Sequence, residues 1–127
     1  MNNKLEVQLF VDTGNGFNEE QSLRIPYIDG QTRYEFDISR FCDKILNFRL
    51  DPLNVSCVIC IEKFYLIDRN DKIYNLTFQF SNADIFEKMM YFVSDDPQIF
   101  FSFDNYQKAI NNFNKVLFEI NFYFVNK

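Results

Sequence analysis

Histidine and tryptophan are absent from this chain of 127 residues, and the missing histidine removes whole classes of chemistry. Without it the commonest general base and the commonest zinc ligand are gone, so Ser-His-Asp and Cys-His catalysis are excluded. A pair of carboxylates could still act as acid and base, but no pair here carries a spacing that marks one. Glycine and proline number only 3 each, too few for a flexible linker or a low-complexity tract. Gly14-Asn15-Gly16 lacks the helix and lysine that a phosphate-cradling loop needs, and no Gly-x-Gly-x-x-Gly is present. The expectation is a domain without catalytic activity or cofactor.

Runs of Lys or Arg are also missing, and the formal net charge is −5, which argues against nucleic acid or an anionic membrane surface as partner. No apolar stretch is long enough to span a bilayer, and the polar start Met1-Asn2-Asn3-Lys4 does not read as a signal peptide. The expected location is the cytoplasm, where a partner could hold the chain at the inner face of the membrane. The three cysteines Cys42, Cys57 and Cys60 are an odd number and suggest no disulfide framework. Cys57-Val-Ile-Cys60 has the spacing of a redox or metal motif, but a strand sends residues three apart to opposite faces, so buried thiols are expected. Asn54-Val-Ser and Asn75-Leu-Thr match glycosylation sequons by chance in an Asn-rich chain.

What is present is ring-bearing apolar sequence: 17 Phe and 7 Tyr in a chain that is 47% hydrophobic. Such rings suit strands, and 127 residues suffice for one core but not two. Period-two alternation recurs along the chain. Leu5, Val7, Leu9 and Val11 share one face of a first strand. Leu23, Ile25 and Tyr27, then Asp29-Gly30, then Tyr34, Phe36 and Ile38 read as a hairpin. Leu46, Phe48 and Leu50 oppose Asn47 and Arg49 before Asp51-Pro52 ends that strand. Cys57 to Ile67 is apolar on both faces and is expected to be central. After a turn at Asp68–Asp71, Tyr74, Leu76, Phe78 and Phe80 alternate against Asn75, Thr77 and Gln79 as the return of a second hairpin. Asp84 to Met90 reads as a short helical turn leading into a strand, and Ile99, Phe101 and Phe103 open another. Tyr106, Ala109, Ile110 and Phe113 carry helical spacing. Val116, Phe118, Ile120, Phe122 and Phe124 face inward on the last strand. The whole predicts a single domain over 1–127, an antiparallel β-sandwich or jelly roll of about eight strands with one or two short helical turns. That domain could still be a module of a longer protein.

The ordered set Gln8-Leu-Phe-Val-Asp-Thr-Gly-Asn-Gly-Phe17, Arg24-Ile-Pro26, Phe36-Asp-Ile38 and Phe48-Arg-Leu-Asp-Pro-Leu53, with Asp96-Pro97-Gln98-Ile99 further on, resembles a β-sandwich module of bacterial surface-polysaccharide glycosyltransferases and methyltransferases. The resemblance implies a carbohydrate-binding-module-like accessory domain beside a catalytic glycan-synthesis domain, in cis or in trans. It brings no defined ligand residues with it. The absence of Trp departs from many sugar binders, so Tyr or Phe would supply the stacking surface.

Two functional readings follow. In the first, the domain binds a polysaccharide or oligosaccharide without acting on it. The polar faces of the strands then offer Asn47, Arg49, Asn75, Gln79, Glu119, Asn121 and Tyr123 as the contact set, with Asp12, Asn15 and Phe17 as an alternative loop rim. In the second, the domain orients or oligomerises its enzyme through exposed apolar residues such as Met89, Met90 and Tyr91, or through an open strand edge. The Asp12–Phe17 loop has a structural reading too, in which its glycines make a sharp turn and Phe17 pins it down. Arg49 with Asp51 reads equally as an ion pair or as sugar contacts. Oxygen ligands for calcium at Asp12, Asn15, Glu19 and Glu20 lack EF-hand spacing, and a solvated acidic loop is the preferred reading.

Overall fold

A computed structural model describes residues 4–41, 45–102 and 113–127. In chain order the strands are β1 (Glu6–Asp12), β2 (Ser22–Pro26), β3 (Arg33–Asp37), β4 (Asn47–Asp51), β5 (Cys57–Asp68), β6 (Ile73–Asn75), β7 (Thr77–Ser81), β8 (Asp84–Phe86), β9 (Met89–Phe92), β10 (Ile99–Ser102) and β11 (Phe113–Val125). Every pairing is antiparallel. One sheet runs β2-β1-β4-β10-β7; the other runs β3-β11-β5-β9-β8, with β6 also on β5. The expected all-β sandwich is therefore what forms, with eleven strands among the described residues in place of about eight. The helical turns are single 3-10 turns at Glu19–Gln21 and Ser39–Phe41. The segment expected to be helical, Tyr106 to Ile110, and Cys42 and Phe103 lie outside the described residues.

The core lies between the sheets and follows the alternation. Val7, Leu9 and Val11 from β1, Phe48 and Leu50 from β4, and Ile99 and Phe101 from β10 meet Tyr34, Phe36, Ile59, Leu66, Val116, Phe118 and Ile120 from the second sheet. Phe101 joins the layers by packing on Phe64 and Phe118 at ring-centroid distances of 5.0 and 5.4 Å. Each such ring removed from water contributes about 2–3 kcal/mol. β5 is central as expected, flanked by β11 on one side and by β6 and β9 on the other. Its thiols fall on opposite faces: Cys57 belongs to the inter-sheet core, and Cys60 is buried apart from it. Burial pushes the Cys57 thiol up to about 12, where it is unreactive.

Four local expectations are corrected. Asp29-Gly30 does not close a hairpin: β2 pairs with β1 in one sheet and β3 with β11 in the other, so this turn carries the chain across the sandwich. The expected strand from Tyr74 to Phe80 is cut at Leu76, a buried residue, where the chain leaves β5 as β6 and enters the first sheet as β7. Asp84 to Met90 is no helical turn but the β8–β9 hairpin, with Glu87 at φ 57° in its tip. Phe124 is exposed, because a register shift between Phe122 and Phe124 turns it out of the core. Phase-2 alternation reports face within a strand; it is blind to a change of sheet or an inserted residue.

Candidate functional site

The outer face of the first sheet carries a row of side chains fixed by register. Phe80 on β7 stands opposite Phe100 on β10, Phe100 opposite Arg49 on β4, Arg49 opposite Phe10 on β1, and Phe10 opposite Ser22 on β2. These residues alternate with the inward set Leu9, Leu50 and Ile99, so burial of the core fixes their outward direction. Phe80 and Phe100 stack at 4.4 Å with planes 19° apart, and Phe17 meets Phe100 edge-on at 5.7 Å. The Arg49 guanidinium lies 4.2 Å from the centre of the Phe10 ring, which is 4% exposed although it points away from the core. Arg49 thus closes over Phe10, while Phe80, 57% exposed, leaves ring surface open to solvent.

Next to this row is a cleft of about 390 Å³ lined by Glu6, Gln8, Glu19, Arg24, Arg49, Asp51 and the Asp95-Asp96 pair. Arg49 holds Asp51, two residues along the same strand, through parallel 2.8 Å bonds from Nε and Nη2 to its two carboxylate oxygens. On a strand, residues i and i+2 share a face, so this bidentate pair follows from the sequence Arg49-Leu-Asp51. The bond to Asp51 raises the Arg49 pKa against the opposing effect of burial. Burial raises that of Asp51, with the charges of Asp96 and Glu19 acting in the same direction and Arg49 opposing them. Glu19 is held by Arg24 and by Gln8, whose Nε2 also donates to Ser22 Oγ at 2.9 Å. The Asp95-Asp96 rim is anchored by Asn82, which donates to the Asp96 carbonyl at 2.9 Å and accepts from the Gln98 N–H at 2.8 Å.

Several predicted residues meet on this face. Asn47 stands opposite Asp12 one step along from Arg49, and Gln79 donates to Ser102 Oγ at 2.9 Å beside Phe80. Phe17 joins the aromatic row; Asn15 is exposed on the adjoining loop. Asp12 has a backbone role, its Oδ1 accepting from the N–H groups of Gly14 and Gly16 at 2.9 and 3.0 Å, both glycines lying at positive φ. The remaining predicted residues belong to the other sheet: Asn75 to β6, and Glu119, Asn121 and Tyr123 to β11. There Asn121 donates to Glu62 at 3.4 Å, and Glu119 faces Lys63 at 3.9 Å. The set chosen from alternation therefore spans two sheets and does not form one surface.

Sequence reasoning assigned Gln8, Arg24, Phe10, Phe80 and Phe100 to no site and weighed Glu19 only as a calcium ligand. Phe80 has the parity of the inward Phe78, and only the register shift between Phe100 and Phe101 separates their faces. No signal in the sequence marks that shift. Gln8 on β1 stands opposite Asp51 on β4, a neighbour that only the register supplies.

Among the described residues, no group of three or more His, Cys, Asp or Glu side chains is placed to hold a metal ion, and no helix is long and apolar enough to cross a membrane. No protein-family model, curated protein or solved structure matches the chain.

Proposed function

We propose that this chain is a noncatalytic carbohydrate-binding domain whose ligand lies on the outer face of the first sheet. The observation that supports this reading is the open Phe80–Phe100 stack set directly against the Arg49–Asp51 pair and its polar cleft. A sugar ring has an apolar C–H face and a rim of hydroxyls; it needs a flat ring beneath and planar polar groups alongside. Asn47, Gln79 and Gln8 extend the polar rim along the neighbouring rows. On the ordered motifs that resemble the surface-polysaccharide module, the partner is a bacterial glycosyltransferase or methyltransferase of glycan synthesis. The domain then raises the effective concentration of the polymer at that enzyme, which a tether alone can bring to the millimolar range.

One observation favours a second reading, as a self-associating scaffold. Among the described residues β8 is an edge strand, paired with β9 alone, with Ile85 and Phe86 51% and 70% exposed. Between this edge and β7, an apolar cleft of about 380 Å³ opens towards Phe64 and Phe101. Met90, expected on such a surface, is buried, and Tyr91 is exposed.

One titration series separates the two. The chain is titrated with a panel of neutral, amino-bearing and uronate-bearing bacterial polysaccharides, and again with Phe80→Ala. Saturable binding is expected, weakened roughly five- to tenfold by the substitution through loss of about 1–1.4 kcal/mol of ring contact. Absence of saturable binding to every member, with self-association in sedimentation, rejects the sugar reading in favour of the scaffold.

A further inference from the structure

The charges of the cleft restrict what kind of sugar can enter it. Five carboxylates, Glu6, Glu19, Asp51, Asp95 and Asp96, line it against two guanidiniums, Arg24 and Arg49. Both guanidiniums are already committed, Arg24 to Glu19 and Arg49 to both oxygens of Asp51. Each positive charge is thereby balanced within the cleft, and an anionic ligand that drew a guanidinium away would leave its carboxylate behind there. For Asp51 that means a largely buried carboxylate without its counter-ion. Glu6, Asp95 and Asp96 have no ion-pair partner among the described residues, and Asp96 is held by an uncharged donor, Gln98 Nε2 at 2.9 Å. The field in the cleft is negative, and the upward push of Asp96 and Glu19 on Asp51 is the same field felt from inside.

Resting on the carbohydrate reading above, we infer that the cleft accepts uncharged or amine-bearing sugar units and rejects units carrying carboxylate or phosphate. Hydroxyls can donate to Glu6, Asp95 and Asp96, and an ammonium gains charge-assisted bonds to the same oxygens. A uronate or a phosphate meets three unpaired carboxylates in a concave site where screening by salt is weaker than on an open surface.

The test compares the best neutral binder of the panel with its C6-carboxylated and C6-aminated derivatives, at 20 mM and 300 mM salt. At low salt the carboxylated form is expected to bind at least tenfold more weakly than the neutral parent and the aminated form more tightly, with both differences shrinking at high salt. In the triple variant Glu6→Gln, Asp95→Asn, Asp96→Asn, the ratio of aminated to carboxylated affinity is expected to collapse. Asp71→Asn with Asp84→Asn and Glu87→Gln changes net charge by the same amount on the second sheet and is expected to leave that ratio as in the wild type. Equal affinity for neutral and carboxylated forms, an acidic polymer as best binder of the panel, or an equal effect of the two triple variants overturns the inference and leaves the carbohydrate reading standing. No binding to any panel member overturns both.

Discussion

Arg49 is the side chain on which the outer face turns. It covers Phe10, pairs with Asp51 and sits opposite Phe100, and with Asp51 it is mostly withdrawn from water, their side chains 19% and 12% exposed. Arg49→Ala uncovers Phe10 and leaves Asp51 without a counter-ion, so a loss of about 3 kcal/mol is expected in urea unfolding. Asp51→Leu together with Arg49→Met replaces the pair with apolar volume and is expected to cost less than Arg49→Ala alone. A double variant that loses as much stability as Arg49→Ala, or more, would contradict this. The sequence Arg49-Leu-Asp51 made the pairing readable, since the two residues share a strand face. It could not reveal Phe10 beneath it or Phe100 beside it, because cross-strand neighbours are set by register.

Turns decide which sheet each strand joins, and Asp68 shows how one turn is fixed. At the end of β5 its Oδ1 accepts from the N–H groups of Asn70 and Lys72 at 2.8 and 2.9 Å, and its Oδ2 accepts from the Tyr74 hydroxyl at 3.0 Å. Burial opposes its ionisation, but the bonds from Lys72, Asn70 and Tyr74 outweigh it and hold the carboxyl below its ordinary 3.8. A depressed folded-state pKa stabilises the fold above the unfolded value, and that contribution is lost as pH falls through the folded one. Melting temperature is therefore expected to drop between pH 5 and pH 2.5 more steeply in the wild type than in Asp68→Asn, which has no proton to take up there. Parallel curves for the two proteins would contradict this. The hairpin after Asp68 was legible from its turn residues and the strand that follows. The crossing at Leu76 and the one at Asp29-Gly30 were not: a two-residue turn chemistry looks the same whether the chain returns to its own sheet or passes to the facing one.

At the scale of the molecule, the alternation of Val7, Leu9, Phe48, Leu50, Val116, Phe118 and Ile120 was enough to foresee two sheets around an aromatic core. It left the choice of face undetermined, since every strand of a sandwich has a polar outer side. Register gathers Asn47, Arg49 and Gln79 with Phe80 and Phe100 on one sheet, and sets Asn75, Glu119, Asn121 and Tyr123 on the other. We propose that the first of these faces holds the glycan. The most direct test is titration of isotopically labelled protein with the panel's best-binding oligosaccharide, followed through backbone amide and side-chain NMR shifts. Shifts are expected to cluster at Gln8, Asn47, Arg49, Gln79, Phe80 and Phe100, with Asn75, Glu119, Asn121 and Tyr123 unmoved. Saturable shifts centred on β11 and β6, with the Phe80–Arg49 row silent, would contradict it.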